Sequence, residues 1–243
     1  MEKSNKYNFP SIRSLKEKSN IIYFEVFLIW LTIFLIINLI IYFEYNLIVF
    51  PFSFITIGWC QFALSNALHE ALHNNFGKKQ NNLIASILCA YPIGFMFSYK
   101  QIHLDHHKFF GDPIKDPDFN SYNPFPKSKI ALLSKLIYNT SGLSAITQFL
   151  YKNKTNKKGN EFINLLITQL LLILFFITLN NKFSEGLYMY VCIWILPLIT
   201  IAKLLATIRL LCEHGSLNDQ LTYRTITGSI IQTKILGPFN FHY

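Results

Sequence analysis

The chain has 243 residues, of which 51% are hydrophobic, 16% aromatic and only 14% charged. A soluble domain carries nearer a quarter of its residues as charges, so the composition excludes an ordinary soluble protein and indicates a single membrane domain, 1–243. The net charge of +9 would suit a nucleic-acid ligand in a soluble protein. In a membrane chain it reflects instead the cytoplasmic excess of Lys and Arg, and no nucleic-acid partner is expected.

Residues 1–20 are polar and carry Lys3, Lys6, Arg13, Lys16 and Lys18, which reads as a cytosolic N-terminal arm. Residues 21–43 are apolar apart from Glu25 and Asn38. At about 1.5 Å per residue they reach about 35 Å, enough for a transmembrane helix. The run is too long for a signal-peptide core, and no small-residue cleavage site follows it. Glu44-Tyr45-Asn46 forms a tight turn into a second span, 47–68, whose end delivers His69 and His73. The apolar segment 83–98 contains Pro92 and Gly94 and is short for a span. If it crossed, His103 would lie on the opposite side from His73, so it is read as a re-entrant or interfacial helical hairpin. Residues 99–160 are polar and basic, with turns at Gly111-Asp112-Pro113 and Asp116-Pro117-Asp118 and a Lys-rich stretch at 152–158. A third span at 162–179, a loop from Asn180 to Gly186 and a fourth span at 187–208 complete the chain, with Pro197 a candidate kink.

The expected fold is an all-α integral membrane protein: four transmembrane helices in two hairpins, a re-entrant segment and a histidine-rich cap. Of the 22 Lys and Arg, only Lys182 falls in an opposite-side loop, and Lys203 lies near the inner end of the fourth span. All the rest share the side of the histidines. The positive-inside rule places that side, with the N-terminus, in the cytoplasm. Lys203 and Arg209 are read as interface anchors rather than as contacts for an acidic headgroup or carrier. Cys60, Cys89, Cys192 and Cys212 lie in or beside apolar runs with no C-x-x-C spacing, and are read as small buried hydrophobes.

Five of the seven histidines fall in two short strings, His69-Glu70-Ala71-Leu72-His73 and His103-Leu104-Asp105-His106-His107. On a helix, positions i, i+3 and i+4 share one face, so each string can aim its rings into one site. His214 follows Glu213 at the end of the last apolar run, and His242 is the last residue but one. None lies mid-span, which suggests one shared site just outside the membrane. The alternative is a solvated, His-rich turn. Imidazole suits zinc, copper, iron and nickel, and five to seven histidines exceed what one zinc takes. Two metals sharing them is the natural solution, and two irons with nitrogen ligands could bind and reduce oxygen. Glu70, Asp105 and Glu213 each neighbour a histidine, and Asp112, Asp116 and Asp118 follow closely. Metal-bound histidines usually give their other N–H to a carboxylate or carbonyl. Whether these carboxylates orient rings or only balance charge stays open at this stage.

These strings resemble the histidine boxes of the membrane fatty acid desaturase superfamily, approximately H-x-x-x-H, H-x-x-H-H and H-x-x-H-H. His69-Glu70-Ala71-Leu72-His73 resembles the first box. His103-Leu104-Asp105-His106-His107, followed by Asp116-Pro117-Asp118, resembles the second. Arg209-Leu210-Leu211-Cys212-Glu213-His214 is similar to the region where relatives supply a further histidine ligand. The resemblance runs roughly from Leu47 to Tyr243. It implies two iron ions held by His69, His73, His103, His106, His107, His214 and His242, with Glu70, Asp105, Glu213, Asp116 and Asp118 around them. It implies molecular oxygen as co-substrate, a fatty acyl lipid as substrate, and electrons from a ferredoxin, cytochrome b5 or similar carrier. No catalytic side chain beyond the metal centre is implied. Asn240-Phe241-His242-Tyr243 resembles only the first half of the third box. The expectation is that the 243-residue chain alone is poorly active or inactive.

Relatives that hydroxylate lipids, carotenoids or alkanes share similar boxes, so hydroxylation is the alternative. The string from His69 to His73 also matches the H-E-x-x-H zinc protease motif, but that reading leaves His103, His106 and His107 unexplained. A metal transporter would place ionisable ligands near the bilayer midplane, where this chain has almost none.

Overall fold

The computed structural model describes residues 19–44, 46–74, 76, 79–90, 97–123, 126, 128–144, 147 and 159–214. The expected arm over 1–18, Pro92 and Gly94, the Lys-rich 152–158 and His242 lie outside the described residues, as do the side chains of Cys212, Glu213 and His214. Every described element is helical, and no strand occurs among the described residues.

The helices are α1 (Ser19–Tyr42), α2 (Val49–Leu72), α3 (Lys79–Ala90), α4 (Phe97–Phe109), α5 (Phe119–Tyr122), α6 (Lys129–Thr140) and α7 (Gly159–Asn180). Then α8 (Phe183–Met189) runs through two π-helical turns, Tyr190–Ile195 and Leu198–Ala202, into α9 (Lys203–His214). Pro197 sits between the π turns. It has no N–H to give, and the register shift it forces is absorbed as wider turns rather than a break.

α2 is the axis of the bundle, packed by α1, α3, the π-helical region and α9. Its buried face is only partly apolar: Ile57, Leu64 and Leu68 alternate with Ser53, Gln61, Asn66 and Glu70. The polar groups register neighbouring helices. Gln61 Nε2 donates to the Trp194 carbonyl at 2.9 Å, in the first π turn, where the regular hydrogen-bond ladder is interrupted. On the same flank Gly58 lets the second π-helical turn approach closely, since a Cβ there would lie 2.5 Å from Ile201 Cβ.

α1 buries Val26, Ile29, Ile33, Ile36, Ile37 and Ile40 at helical spacing and stacks Trp30 on Trp194. Its opposite face carries Phe24, Phe27, Phe34 and Leu35, each more than half exposed. A helix apolar on all sides either fills a core or faces lipid. α7 does the same with Ile163, Leu166, Leu170 and Leu171.

Among the described residues two stretches are long and apolar enough to cross a membrane, Tyr23–Tyr42 and Phe183–Leu211. Four were expected. The described part of α7 adds a shorter apolar stretch, Leu165–Asn180, and α2 carries many polar side chains, because it is the interior helix that binds the others. The loop expected from Asn180 to Gly186 is also shorter than read. It reduces to Asn181 and Lys182, with Asn181 at φ 54°. Gly186 is helical and packs so tightly that a Cβ would lie 2.4 Å from Ile177 Cα.

Candidate metal centre

α2 runs past the expected end of the second span, to Leu72, so His69 lies in its last turn and His73 caps it. His103, His106 and His107 lie on α4. Each helix therefore presents an i, i+4 pair on one face, and the pairs interlock: ring centroids are 4.8 Å apart for His69–His73, 4.6 Å for His103–His107 and 4.4 Å for His69–His103. One ligand nitrogen from each of these four histidines lies within 4.8 Å of the others.

Three of the nitrogens meet almost point to point. His73 Nε2 is 2.9 Å from His103 Nε2 and 3.1 Å from His107 Nε2, and the latter two are 3.1 Å apart. Facing lone pairs repel unless a proton or cation lies between them, and one divalent cation satisfies all three. Neighbouring nitrogens around a metal held at about 2.1 Å stand about 3.0–3.4 Å apart, close to what the protein presents. The donor set is all imidazole, which suits iron, zinc, copper or nickel.

The electrostatics favour open lone pairs. Burial, then the positive charge of His107, His73, His106 and Arg209, holds the His103 pKa down to about 3. Burial, then His107 and Arg209, lowers that of His73. Both rings stay neutral at physiological pH, the form that binds metal.

His106 stands apart from the four. Its ring is 6.4 Å from that of His103 and 5.5 Å from that of His107. Its Nδ1 donates to Asp116 Oδ1 at 2.7 Å, which orients the ring with Nε2 pointing away from the carboxylate. Asp116 is buried, and its Oδ1 also accepts the Asp118 N–H at 2.9 Å. Its Oδ2 accepts the Gly111 N–H at 3.2 Å and the Tyr122 hydroxyl. Burial alone would raise the Asp116 carboxyl. The hydrogen bonds from Tyr122, His106, Asp118 and Gly111 together bring it below the usual carboxylate range.

The other carboxylates divide. Glu70 is buried on α2, and Asp105 accepts Gln101 Nε2 at 2.9 Å. Asp112 Oδ1 accepts the backbone N–H of Ile114 and Lys115, an Asx turn that shapes the loop. His214 is the last residue of α9.

Two residues of the site were not identified from sequence. Tyr122 is buried and completes the Asp116 cradle. Arg209, read as an interface anchor, is instead buried and donates to Asn66 Oδ1, one turn before His69. Lys203, at the start of the same helix α9, lies within electrostatic reach of Asp118.

The profile of the family described as "Fatty acid desaturase" matches residues 45–243. The chain is also similar to dihydrorhizobitoxine desaturase of Bradyrhizobium elkanii, with 26% identity over 211 residues, covering 77% of this chain and 59% of that protein's length. No solved structure matches the chain. The family match takes in both histidine strings and His214 of α9, and the chain belongs to the fatty acid desaturase family.

Proposed function

We propose that the chain is an oxygen-dependent membrane desaturase that removes hydrogens from a fatty acyl chain at a histidine-coordinated pair of iron ions. His69, His73, His103 and His107 would hold metal, with His106, His214 and His242 completing the set. The observation that carries the reading is the convergence of four imidazole nitrogens from the end of α2 and from α4. The family is one of oxidoreductases, and the donor chemistry fits iron.

Bound iron would supply oxygen activation and the oxidising power needed at an unactivated C–H bond. The chain's own residues prepare the place. His73 and His103 stay unprotonated because burial and Arg209 disfavour their charged forms. Asp116 holds the proton of His106 on Nδ1. No side chain is positioned as a nucleophile, and none is needed. Electrons come from a carrier such as a ferredoxin or cytochrome b5.

The apolar outer faces of α1 and α7 support residence in a lipid bilayer. The short distance between His73 and His103 supports the view that the segment between them leaves and returns on one side. α3, at the start of that segment, buries Ala85 and Cys89 while exposing Leu83, Ile84 and Leu88, as an interfacial or re-entrant helix would. The distribution of Lys and Arg then puts the histidines in the cytoplasm.

Hydroxylation is the second reading, since the same site serves either outcome. The relative named for dihydrorhizobitoxine keeps a different desaturation substrate in view. Metal analysis of the detergent-purified chain and lipid analysis of expressing cells test the proposal together. About two irons per chain, reduced by His103→Ala, with new double bonds in cellular lipid, are expected. A single zinc that survives loss of His103 and His107 but not of His69 would refute it.

A further inference from the structure

Tyr122 ends the short helix α5 in a polar stretch that no ligand motif marks, and its hydroxyl bonds the Asp116 carboxylate. The ring is buried, stacked on Phe110 with centroids 5.6 Å apart, and stands 6.1 Å from the ring of His106. Its hydroxyl donates to Asp116 Oδ2, the oxygen that His106 does not use, and accepts the Gly111 N–H at 3.1 Å. Asp116 Oδ1 is shared by His106 Nδ1 and the Asp118 N–H. The carboxylate is thus gripped at both oxygens, and its plane is fixed relative to the imidazole.

Resting on the metal-centre reading above, we propose that Tyr122 is a positioning residue: through Asp116 it fixes the tautomer and orientation of His106 and so tunes that ring as a ligand. The chain of contacts is Tyr122 hydroxyl, Asp116 carboxylate, His106 Nδ1. The consequence is an Nε2 lone pair held in one direction before metal arrives. Without the hydroxyl, Oδ2 keeps only the longer Gly111 contact, and the carboxylate can rotate about its Cβ–Cγ bond.

Tyr122→Phe keeps the ring and its packing and removes only the hydroxyl. Loss of a group that orients a metal-binding histidine costs about 10–100-fold in affinity. Tyr122 acts one bond further out, so about a 3- to 10-fold weakening is expected. The experiment titrates Co(II) into the full chain in micelles, following affinity and the visible ligand-field spectrum. It uses wild type, Y122F, D116N and the double variant. Y122F should bind Co(II) more weakly with an altered spectrum, and should add nothing in the D116N background, because the hydroxyl works only through that carboxylate. A wild-type affinity and spectrum for Y122F, or full additivity with D116N, sinks the inference alone. A wild-type chain that takes up no Co(II) sinks it together with the metal-centre reading. Should Y122F fail to fold, 15N spectra of the metal-free wild-type chain decide instead, with the His106 resonance assigned by its loss in H106Q. A ring protonated on Nδ1 supports the inference, and one protonated on Nε2 overturns it.

Discussion

The metal-free centre should make the protein sensitive to mild acid, and His103 should be a principal source of that sensitivity. In the unfolded chain its pKa is about 6.5. In the folded chain burial, and then the neighbouring cations, hold it to about 3. Between those values the unfolded state binds a proton that the folded state refuses. Stability is therefore full above about pH 6.5 and falls as the pH drops through the window between the two values. At pH 5 the gap is about 1.5 units, and at about 1.36 kcal/mol per unit the loss reaches about 2 kcal/mol. His73 shifts the same way and adds to it. Denaturant unfolding of the chelator-treated chain in mixed micelles at pH 7 and pH 5 measures the loss. Other titrating groups contribute, so the diagnostic quantity is the difference between wild type and His103→Gln, whose amide takes no proton. The variant should lose about 2 kcal/mol less than wild type between the two pH values. An equal loss in both would refute the burial argument for His103 and the reason given for its readiness to bind metal.

Three further changes probe the frame around the site. Arg209→Met leaves the Asn66 carbonyl stripped of its charged donor in a buried setting, and should cost about 1–3 kcal/mol; adding Asn66→Leu should cost much less than the two singles combined, as a double-mutant cycle of unfolding will show. Gly58→Ala puts a Cβ 2.5 Å from Ile201 Cβ, so α2 and the second π-helical turn must part; a loss of about 1–3 kcal/mol is expected, with weakened metal uptake by titration. Gly111→Ala forces a side chain onto φ +84°, costing about 1–2 kcal/mol, and displaces the N–H shared by Asp116 and Tyr122; the change in melting temperature in micelles checks it.

The four histidines that converge were legible because helical spacing is a local property. Two i, i+4 pairs on helices whose ends meet need only the helix period to be predicted. Asp116 was within reach for a similar reason, since a carboxylate shortly after a histidine string is an orienting partner in waiting. Tyr122 was not, because nothing in the string Asp118-Phe119-Asn120-Ser121-Tyr122 says that one short helix will turn the ring back onto Asp116. A buried aromatic six positions after a buried carboxylate is the only signal, and burial is not readable in a polar loop. Arg209 was misread because a cation at the end of an apolar run usually snorkels to the interface. Here Asn66, more than 140 residues earlier, offers a buried acceptor instead. The same blindness hid the role of α2. The stretch reads only as a span in sequence, whereas its Ser53, Gln61 and Asn66 are buried in the bundle.

Those interior polar groups explain how the site holds its shape. In lipid, apolar helix faces gain little by meeting one another rather than acyl chains, so apolar contact alone lets helices slide. A metal centre needs its ligands placed within about 0.5 Å, and one residue of slippage along a helix is about 1.5 Å. Gln61 bonds the Trp194 carbonyl, and Asn66 bonds Arg209, at two depths along the same pair of helices. A slide of one residue breaks both at once and strands four buried polar groups. The second bond sits one turn from His69 on α2 and five residues from His214 on α9. The register fixed by two directional contacts inside the bundle is thus delivered to the histidines at its end. The polar residues that keep α2 from reading as a simple membrane span are the ones that lock it against the helix carrying Trp194 and Arg209.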